Sequence, residues 1–201
     1  MRKTKYILPL LLFYFTHPAI IKSQIHCNEG KHRWDVKTGT DADTAKINKK
    51  DTVFTNPLKL SKRKRPKWTV DMPRQWDFDT VNNFPVEGSI IVLDDVEVDS
   101  WKLETDMDIH VLLKMPGTKD LFPLEFVDPR CPTASKSPYA NSMKNARDVL
   151  IKKFGFPKTR YTNIKGTIKV VGIGFFDREH NQKGNGFLEL HPVLYLKVYP
   201  Q

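Results

Sequence analysis

One stretch decides how the rest of the chain is interpreted, namely Glu104-Thr105-Asp106-Met107-Asp108-Ile109-His110-Val111-Leu112-Leu113-Lys114. Polar and apolar residues alternate through its first half. Because successive side chains of a β-strand point to opposite faces, this alternation predicts a strand with one apolar face that enters a core. The other face carries Asp106, Asp108 and His110.

Four more strands and one helix are predicted around this stretch. The strands are runs of β-branched and aromatic residues that end at Gly, Pro or Asp. They cover residues 88–98, 121–127, 167–176 and 187–198, and the central strand covers 106–115. Asp99-Ser100 interrupts the first of them. A helix over 138–154 is expected between the third and fourth strands, because Ser137 can cap its free amides and Pro138 suits its first position.

The element order is therefore three strands, a helix and two strands. This is the order of the OB-fold, a five-stranded barrel that carries a helix between its third and fourth strands. We predict a mainly β protein with one helix, in which an OB-fold-like barrel domain spans residues 86–201. An irregular N-terminal extension over 24–85 precedes it. Within the extension, residues 34–36 have strand-like character, and Asp41 is predicted to cap a short helix.

The first residues have the pattern of a signal peptide. Arg2, Lys3 and Lys5 precede an apolar run over residues 7–15, which has the length of a signal-peptide core and is too short to span a bilayer. Cleavage after Ser23 would remove it. We therefore expect a signal peptide over residues 1–23, a secreted or periplasmic location, and no transmembrane segment in the mature chain.

The chain has two cysteines, Cys27 and Cys131. In an exported protein, two cysteines favour one disulfide bond, since the compartment is oxidising. The alternative is a pair of buried thiols. A bridge between these two residues would close a loop of about a hundred residues, and loop-closure entropy makes such a bridge worth roughly 4–5 kcal/mol.

The formal net charge is +10, and residues 1–23 contribute four basic residues and no acid, so the mature chain carries +6. This charge allows a polyanionic partner without requiring one. The basic run over 59–68 either contacts phosphates or forms a solvated link. Trp68, Trp76 and Trp101 are residues of the type on which OB-folds stack nucleic acid bases, so a nucleic acid is one candidate partner. Packing of the tryptophans in the core is the alternative.

Three groups of residues can carry chemistry. Carboxylates beside imidazoles suit a divalent metal ion, which makes Asp106 and Asp108 candidate ligands. Polar side chains on the wet face of a strand, or closed hydrogen-bonded pairs, account for the same pattern without a metal. The candidate catalytic residues are His110, His180, Glu189 and His191, of which the last two share a face of an apolar strand. The loop between the last two strands supplies the candidate ligand contacts Asp177, His180 and Asn185.

The chain resembles a family of uncharacterised exported bacterial proteins. The stretches that carry the resemblance are 33–41, Asp106-x-Asp108-x-His110, Asp128-Pro129-x-Cys131, 171–177, His180-x-Gln182 and 189–193. They cover most of the mature chain. The family implies no known activity, and the resemblance supports pairing of Cys27 with Cys131.

A shorter segment resembles the thermonuclease barrel, an OB-fold whose calcium ligands lie near the second and third strands. The resemblance rests on Asp106-x-Asp108, the hairpin, and a third strand that ends in Val127-Asp128. It implies Asp108 and Asp128 as metal ligands. Thermonucleases also carry an arginine within the third strand and a glutamate shortly after it. Here the third strand has no arginine, and Cys131 stands near the place of the glutamate.

The sequence therefore leaves more than one function open. The first is a secreted OB-fold module that binds an extracellular oligosaccharide, nucleic acid or protein. The second is a metal-assisted hydrolase, most similar to a phosphodiesterase or nuclease, which would use a divalent metal as its cofactor. A structural or inhibitory extracellular protein is the third.

Overall fold

Within the residues that the structure describes, the protein is mainly β with three α-helices, of which one is substantial. A computed structural model describes residues 27–28, 33–63, 87–177 and 188–200. The strands are β1 (Val53–Thr55), β2 (Ile90–Leu103), β3 (Ile109–Lys114), β4 (Leu121–Phe126), β5 (Thr162–Asn163), β6 (Thr167–Phe176) and β7 (Leu188–Val198). The helices are α1 (Trp34–Lys37), α2 (Pro57–Ser61) and α3 (Ala140–Phe154).

Five strands close into a barrel in the order β2-β3-β4-β7-β6, and β6 pairs with β2 to complete it. Neighbouring strands are antiparallel except for β4 and β7, which run parallel and meet at Leu124 and Leu190. Helix α3 lies between β4 and β6 in the chain. This topology confirms the predicted OB-fold-like barrel. The short strands β1 and β5 extend it by pairing with β2.

The barrel interior is apolar and α3 packs against it. Ile109, Val111 and Leu113 of β3 are fully buried there, together with alternate residues of the other strands. The helix contributes Ala146 and Leu150 to the same cluster. Trp101 also belongs to this core and packs edge-to-face against Phe154, with ring centroids 5.8 Å apart. It is therefore a packing residue and not a platform for a nucleic acid base.

The strand boundaries differ from the predicted ones at two places. The first strand continues through Asp99-Ser100, because a bulge between Val98 and Ser100 absorbs the extra residue. The central strand begins at Ile109, whereas the alternating pattern predicted a start at Asp106. Met107 has a φ of +73°, and the amide of Glu104 donates to the carbonyl of Asp108 (2.8 Å), which closes a turn. Asp106 and Asp108 therefore lie in this turn and not on a strand face.

The described part of the extension packs on the barrel. Residues 34–37 form helix α1, whereas strand-like character was predicted for 34–36. Trp34 and Val36 are buried, and Val36 contacts Ile173 and Phe175 on the outer face of β6. Asp41 accepts a hydrogen bond from Thr44 at the start of a 3-10 turn over Thr44–Lys46. The predicted signal peptide, Trp68 and Trp76 lie outside the described residues.

Cys27 and Cys131 form a disulfide bond across 104 residues, which confirms the predicted pairing. The bond joins the extension to the segment that follows β4. Cys131 is fully buried beside Trp34, Val127 and Met143. Among the helices that the structure describes, none has both the length and the apolar character needed to cross a membrane.

We expect the double variant Cys27→Ser/Cys131→Ser to lose about 4 kcal/mol of unfolding free energy, because the unfolded chain regains the freedom of a long loop. Urea unfolding followed by tryptophan fluorescence measures the loss. The reduced wild-type protein is the control and should match the variant. A loss below about 1 kcal/mol would contradict a stabilising role of the bridge.

Candidate functional site

A band of charged side chains crosses the outer face of β3, β4 and β7. Core-facing residues alternate along these strands, so the residues between them point away from the barrel interior. We call the band the polar strip. His110, Glu125, Glu189 and His191 lie on the strands, and Glu104 and Asp108 lie in the turn before β3. Lys37 and Asp177 border them and complete the strip.

His110 and Glu125 form the centre of one half of the strip. They lie directly opposite each other on β3 and β4, and Nδ1 of His110 makes a short hydrogen bond with Oε1 of Glu125. Oε1 of Glu104, in the turn before β3, lies 3.6 Å from the same ring nitrogen. Lys102 pairs with Glu104 at 2.9 Å. The ring of Tyr161 meets that of His110 edge-on at 5.9 Å.

The other half of the strip is built around His191. Its Nδ1 lies 2.9 Å from Oε1 of Glu189, which fixes the orientation of the ring. Its Nε2 faces Oδ2 of Asp108 at 3.5 Å. Asp108 is held in place because its Oδ1 accepts a hydrogen bond from the amide of Asp128 (3.0 Å). All three side chains of the group Asp108–His191–Glu189 are buried.

Helix α1 covers the β7 end of the strip. Nζ of Lys37 lies 3.1 Å from Oδ2 of Asp177 and 3.9 Å from Oε1 of Glu189. It also lies over the Phe175 ring, 5.2 Å from the centroid. These two carboxylates outweigh the cost of burial and raise the pKa of Lys37 above its usual value. The extension therefore supplies a permanent positive charge to the barrel surface.

The buried charge of the strip is balanced by protons on its histidines. Among the described residues, the five carboxylates of the strip are paired with two lysines, Lys37 and Lys102. Burial lowers the pKa of His191, but Asp108 and Glu189 outweigh it and raise that pKa to about 9. Burial likewise disfavours the charged form of His110, and the nearby Glu125 carboxylate raises its pKa. Burial raises the pKa of Glu125 to about 7, against the opposing effect of His110.

Four buried polar atoms of the strip have no hydrogen-bond partner in the part of the chain that the structure describes. They are Oδ2 of Asp108, Nε2 of His110, Oε2 of Glu125 and Nε2 of His191. A buried polar atom without a partner costs free energy, so most native proteins leave few of them. Two of the four, Oδ2 of Asp108 and Nε2 of His191, face each other as an ion pair at 3.5 Å, and the other two are open to a further partner.

Asp128 and Asp106 have other partners. Arg130 donates to both carboxylate oxygens of Asp128, and Arg147 of α3 lies 3.7 Å away. Burial raises the pKa of Asp128, but the hydrogen bonds from Arg130 outweigh it and lower that pKa. Asp106 accepts a hydrogen bond from Asn28 (2.6 Å), and burial together with the neighbouring Asp108 raises its pKa. For Asp128 to bind a metal ion, its carboxylate would first have to release the guanidinium group of Arg130.

The structure brings most of the predicted site residues together. Asp108, His110, Asp177, Glu189 and His191 all lie in the polar strip, while His180 and Asn185 lie outside the described residues. The sequence reasoning did not find Glu104, Glu125 and Lys37. Glu125 had a usable signal, because it is an acid inside the apolar run Leu121–Phe126, as Glu189 is in β7. No signal in the sequence pointed to Lys37, since only the packing of α1 brings it to the strip.

Comparisons with known proteins found no matching family model, no similar curated protein and no similar solved structure. The resemblance to uncharacterised exported bacterial proteins stays a prediction, as does the partial resemblance to thermonucleases. The site is therefore interpreted from its own geometry.

Because His191 is protonated in the folded state, we expect the unfolding free energy to depend on pH. Its pKa is about 9 in the folded state and ordinarily 6.5, so the ring stabilises the fold fully below pH 6.5 and loses that contribution as the pH rises through 9. The loss amounts to about 3 kcal/mol. Urea unfolding between pH 6 and 10 should show it in the wild type. The variant His191→Gln should show a shallower decline, and an unchanged decline would contradict the assignment.

Proposed function

We propose that this protein is a secreted OB-fold module that binds a cationic ligand on the polar strip. Export is supported by the signal-peptide pattern of residues 1–23 and by the disulfide bond, which persists in oxidising compartments. The binding role is carried by one observation, namely the buried carboxylate oxygens Oδ2 of Asp108 and Oε2 of Glu125, which accept no hydrogen bond from the described residues.

The position of the strip supports a binding role. OB-folds bind oligonucleotides and oligosaccharides on the face of their second and third strands, with help from the loop between strands one and two. In this barrel those strands are β3 and β4, and the loop contains Glu104, Asp106 and Asp108. The polar strip lies on that face. Its chemistry differs from that of a nucleic acid site, because carboxylates predominate.

The excess of carboxylates favours a positively charged ligand. The histidines now carry protons that offset part of this negative charge. An ammonium or guanidinium group placed at the strip would supply the same compensation. A nucleic acid would bring phosphates to a surface of the same sign, which opposes binding there.

The rim of the strip gives a ligand access to it. The Glu104 side chain is 29% exposed, and Tyr161 is 44% exposed beside it. Nζ of Lys102 already lies over the Tyr161 ring, 4.7 Å from the centroid, which is the geometry of a cation–π contact. A ligand cation can occupy a similar position, with carboxylates on one side and an aromatic face on the other.

Fluorescence anisotropy with labelled hexalysine and chitosan hexamer tests this proposal, in EDTA so that no metal ion contributes. We expect at least one of the two to bind, and to bind more weakly as salt rises from about 50 to 200 mM, since exposed charges are then screened. Glu104→Gln should weaken that binding about twofold to fivefold, the range for a partly exposed charge pair.

Asp120→Asn, an exposed acid in the β3–β4 hairpin, is the matched control and should bind as the wild type does. Neutral cellohexaose and single-stranded dT12 are the comparison ligands. Tighter binding of dT12 than of both cationic probes would contradict the proposal. Equal effects of the Glu104 and Asp120 substitutions would also contradict it.

A metal-assisted hydrolase is the second candidate, and the geometry of His191 favours it. Glu189 orients the ring through Nδ1, and Nε2 faces Asp108, the residue that the thermonuclease resemblance implies as a metal ligand. A ring held in this orientation beside a metal-binding carboxylate suits the role of a general acid that donates a proton to a departing oxygen.

Hydrolysis of bis(p-nitrophenyl) phosphate in the presence of calcium, manganese or zinc tests this candidate. His191→Gln should lower the rate at least about 100-fold, the usual contribution of a general acid. Asp120→Asn should leave the rate unchanged. Absence of turnover with each of the three metals would remove this candidate, as would a rate that does not depend on His191.

A further inference from the structure

We infer that Glu104, His110 and Glu125 form a binding site for a divalent metal ion of the zinc class. This inference goes beyond the proposed function, because the ion binds to the protein alone and does not depend on a cationic ligand. It also uses a different set of residues from Asp106, Asp108 and Asp128, the metal ligands that the sequence predicts.

The first argument is geometric. One ligand atom from each of these side chains lies within 4.8 Å of the others, and no other group of three His, Cys, Asp or Glu residues in the described ranges does so. A tetrahedral zinc ion with bonds of about 2.1 Å holds its ligand atoms about 3.4 Å apart. Small side-chain rotations bring the three groups to that spacing. The backbone already holds them, since His110 and Glu125 are register partners and Glu104 closes the turn before β3.

The second argument is the state of the side chains. His110 is 1% exposed and Glu125 is 8% exposed, yet Nε2 of the first and Oε2 of the second have no hydrogen-bond partner among the described residues. A solvated cluster of acids would not be buried in this way. A closed structural pair would leave fewer unsatisfied atoms. An ion bound on the Nδ1 side of His110, where Oε1 of both glutamates lies, would give Oε2 of Glu125 a cation to coordinate, while Nε2 of His110 points away from that side of the ring.

The ligand types select the class of ion. One imidazole with two carboxylates suits zinc and its first-row neighbours, whereas magnesium and calcium prefer sites made only of oxygen. Three protein ligands are typical of zinc sites that keep one coordination position open. The open side is that of Glu104, which is the least buried of the three.

Cobalt(II) and zinc titrations of the chain test the site, after purification without a histidine tag and treatment with EDTA. We expect one cobalt ion per chain with visible d–d absorption of a four- or five-coordinate site, and displacement of the cobalt by zinc. Calcium and magnesium at tenfold excess should not displace it. Failure to bind cobalt and zinc at micromolar concentrations would overturn the inference.

Variants locate the ion. Glu104→Gln, which alters a partly exposed turn residue, and His110→Gln should each weaken zinc binding at least tenfold. Glu97→Gln is the matched control, because Glu97, on β2, is like Glu104 an acid with a lysine partner, and the variant should bind zinc as the wild type does. Circular dichroism confirms that each variant is folded.

The outcomes separate this inference from the proposed function. Zinc binding that is lost in Asp108→Asn and retained in Glu104→Gln would place the ion at the His191 group and overturn the inference. Zinc binding without any binding of hexalysine or chitosan would sustain the metal site while the proposed function fails. Binding of a cationic probe in EDTA without any zinc binding would sustain the proposed function and overturn the metal site.

Discussion

Closure of the barrel by the pairing of β2 with β6 is the constraint on which the rest of the structure depends. The ladder joins residues 90–97 to 167–173 and turns an open sheet into a cylinder. Once the sheet is closed, every strand residue either faces the apolar interior or the outside. The apolar residues of β3, β4 and β7 take the interior, so their charged residues are forced onto one outer surface. The parallel contact of β4 with β7 then brings Glu125 next to Glu189 and His191.

The resulting strip is unusual because it combines burial with ionisable groups. Burial alone would neutralise these side chains, since a charge in a medium of low dielectric constant is costly. Mutual pairing reduces that cost, as between His191 and Glu189 or Lys37 and Asp177. The carboxylates still outnumber the lysines, so the histidines hold protons at pH values where they are ordinarily neutral. This common cause links the stability of the fold to pH.

The extension acts as part of the domain. Helix α1 buries Trp34 and Val36 against the barrel and presents Lys37 to the strip. Arg33, just before it, pairs with Glu87 at 2.7 Å, and both residues are buried. The disulfide bond fixes Cys27 beside the segment after β4. The electrostatics of the strip therefore depend on a segment that has little regular structure of its own.

Local patterns in the sequence predict the order of the five barrel strands and helix α3, the interior face of β3 and a disulfide bond between the two cysteines, because period-two alternation and residue chemistry are local properties. They do not predict β1, β5 or α2. The sequence also singled out His110, on the polar face of the central strand, and Glu189 and His191 inside an apolar strand. It placed Asp106 and Asp108 on a strand, since alternation cannot distinguish a strand from a turn in which Met107 has a positive φ. Only the tertiary structure decided that Glu104 and Glu125 meet His110 and that Lys37 reaches the strip. Those contacts join residues from different elements, and strand register, barrel closure and helix packing set them over distances that no local pattern encodes.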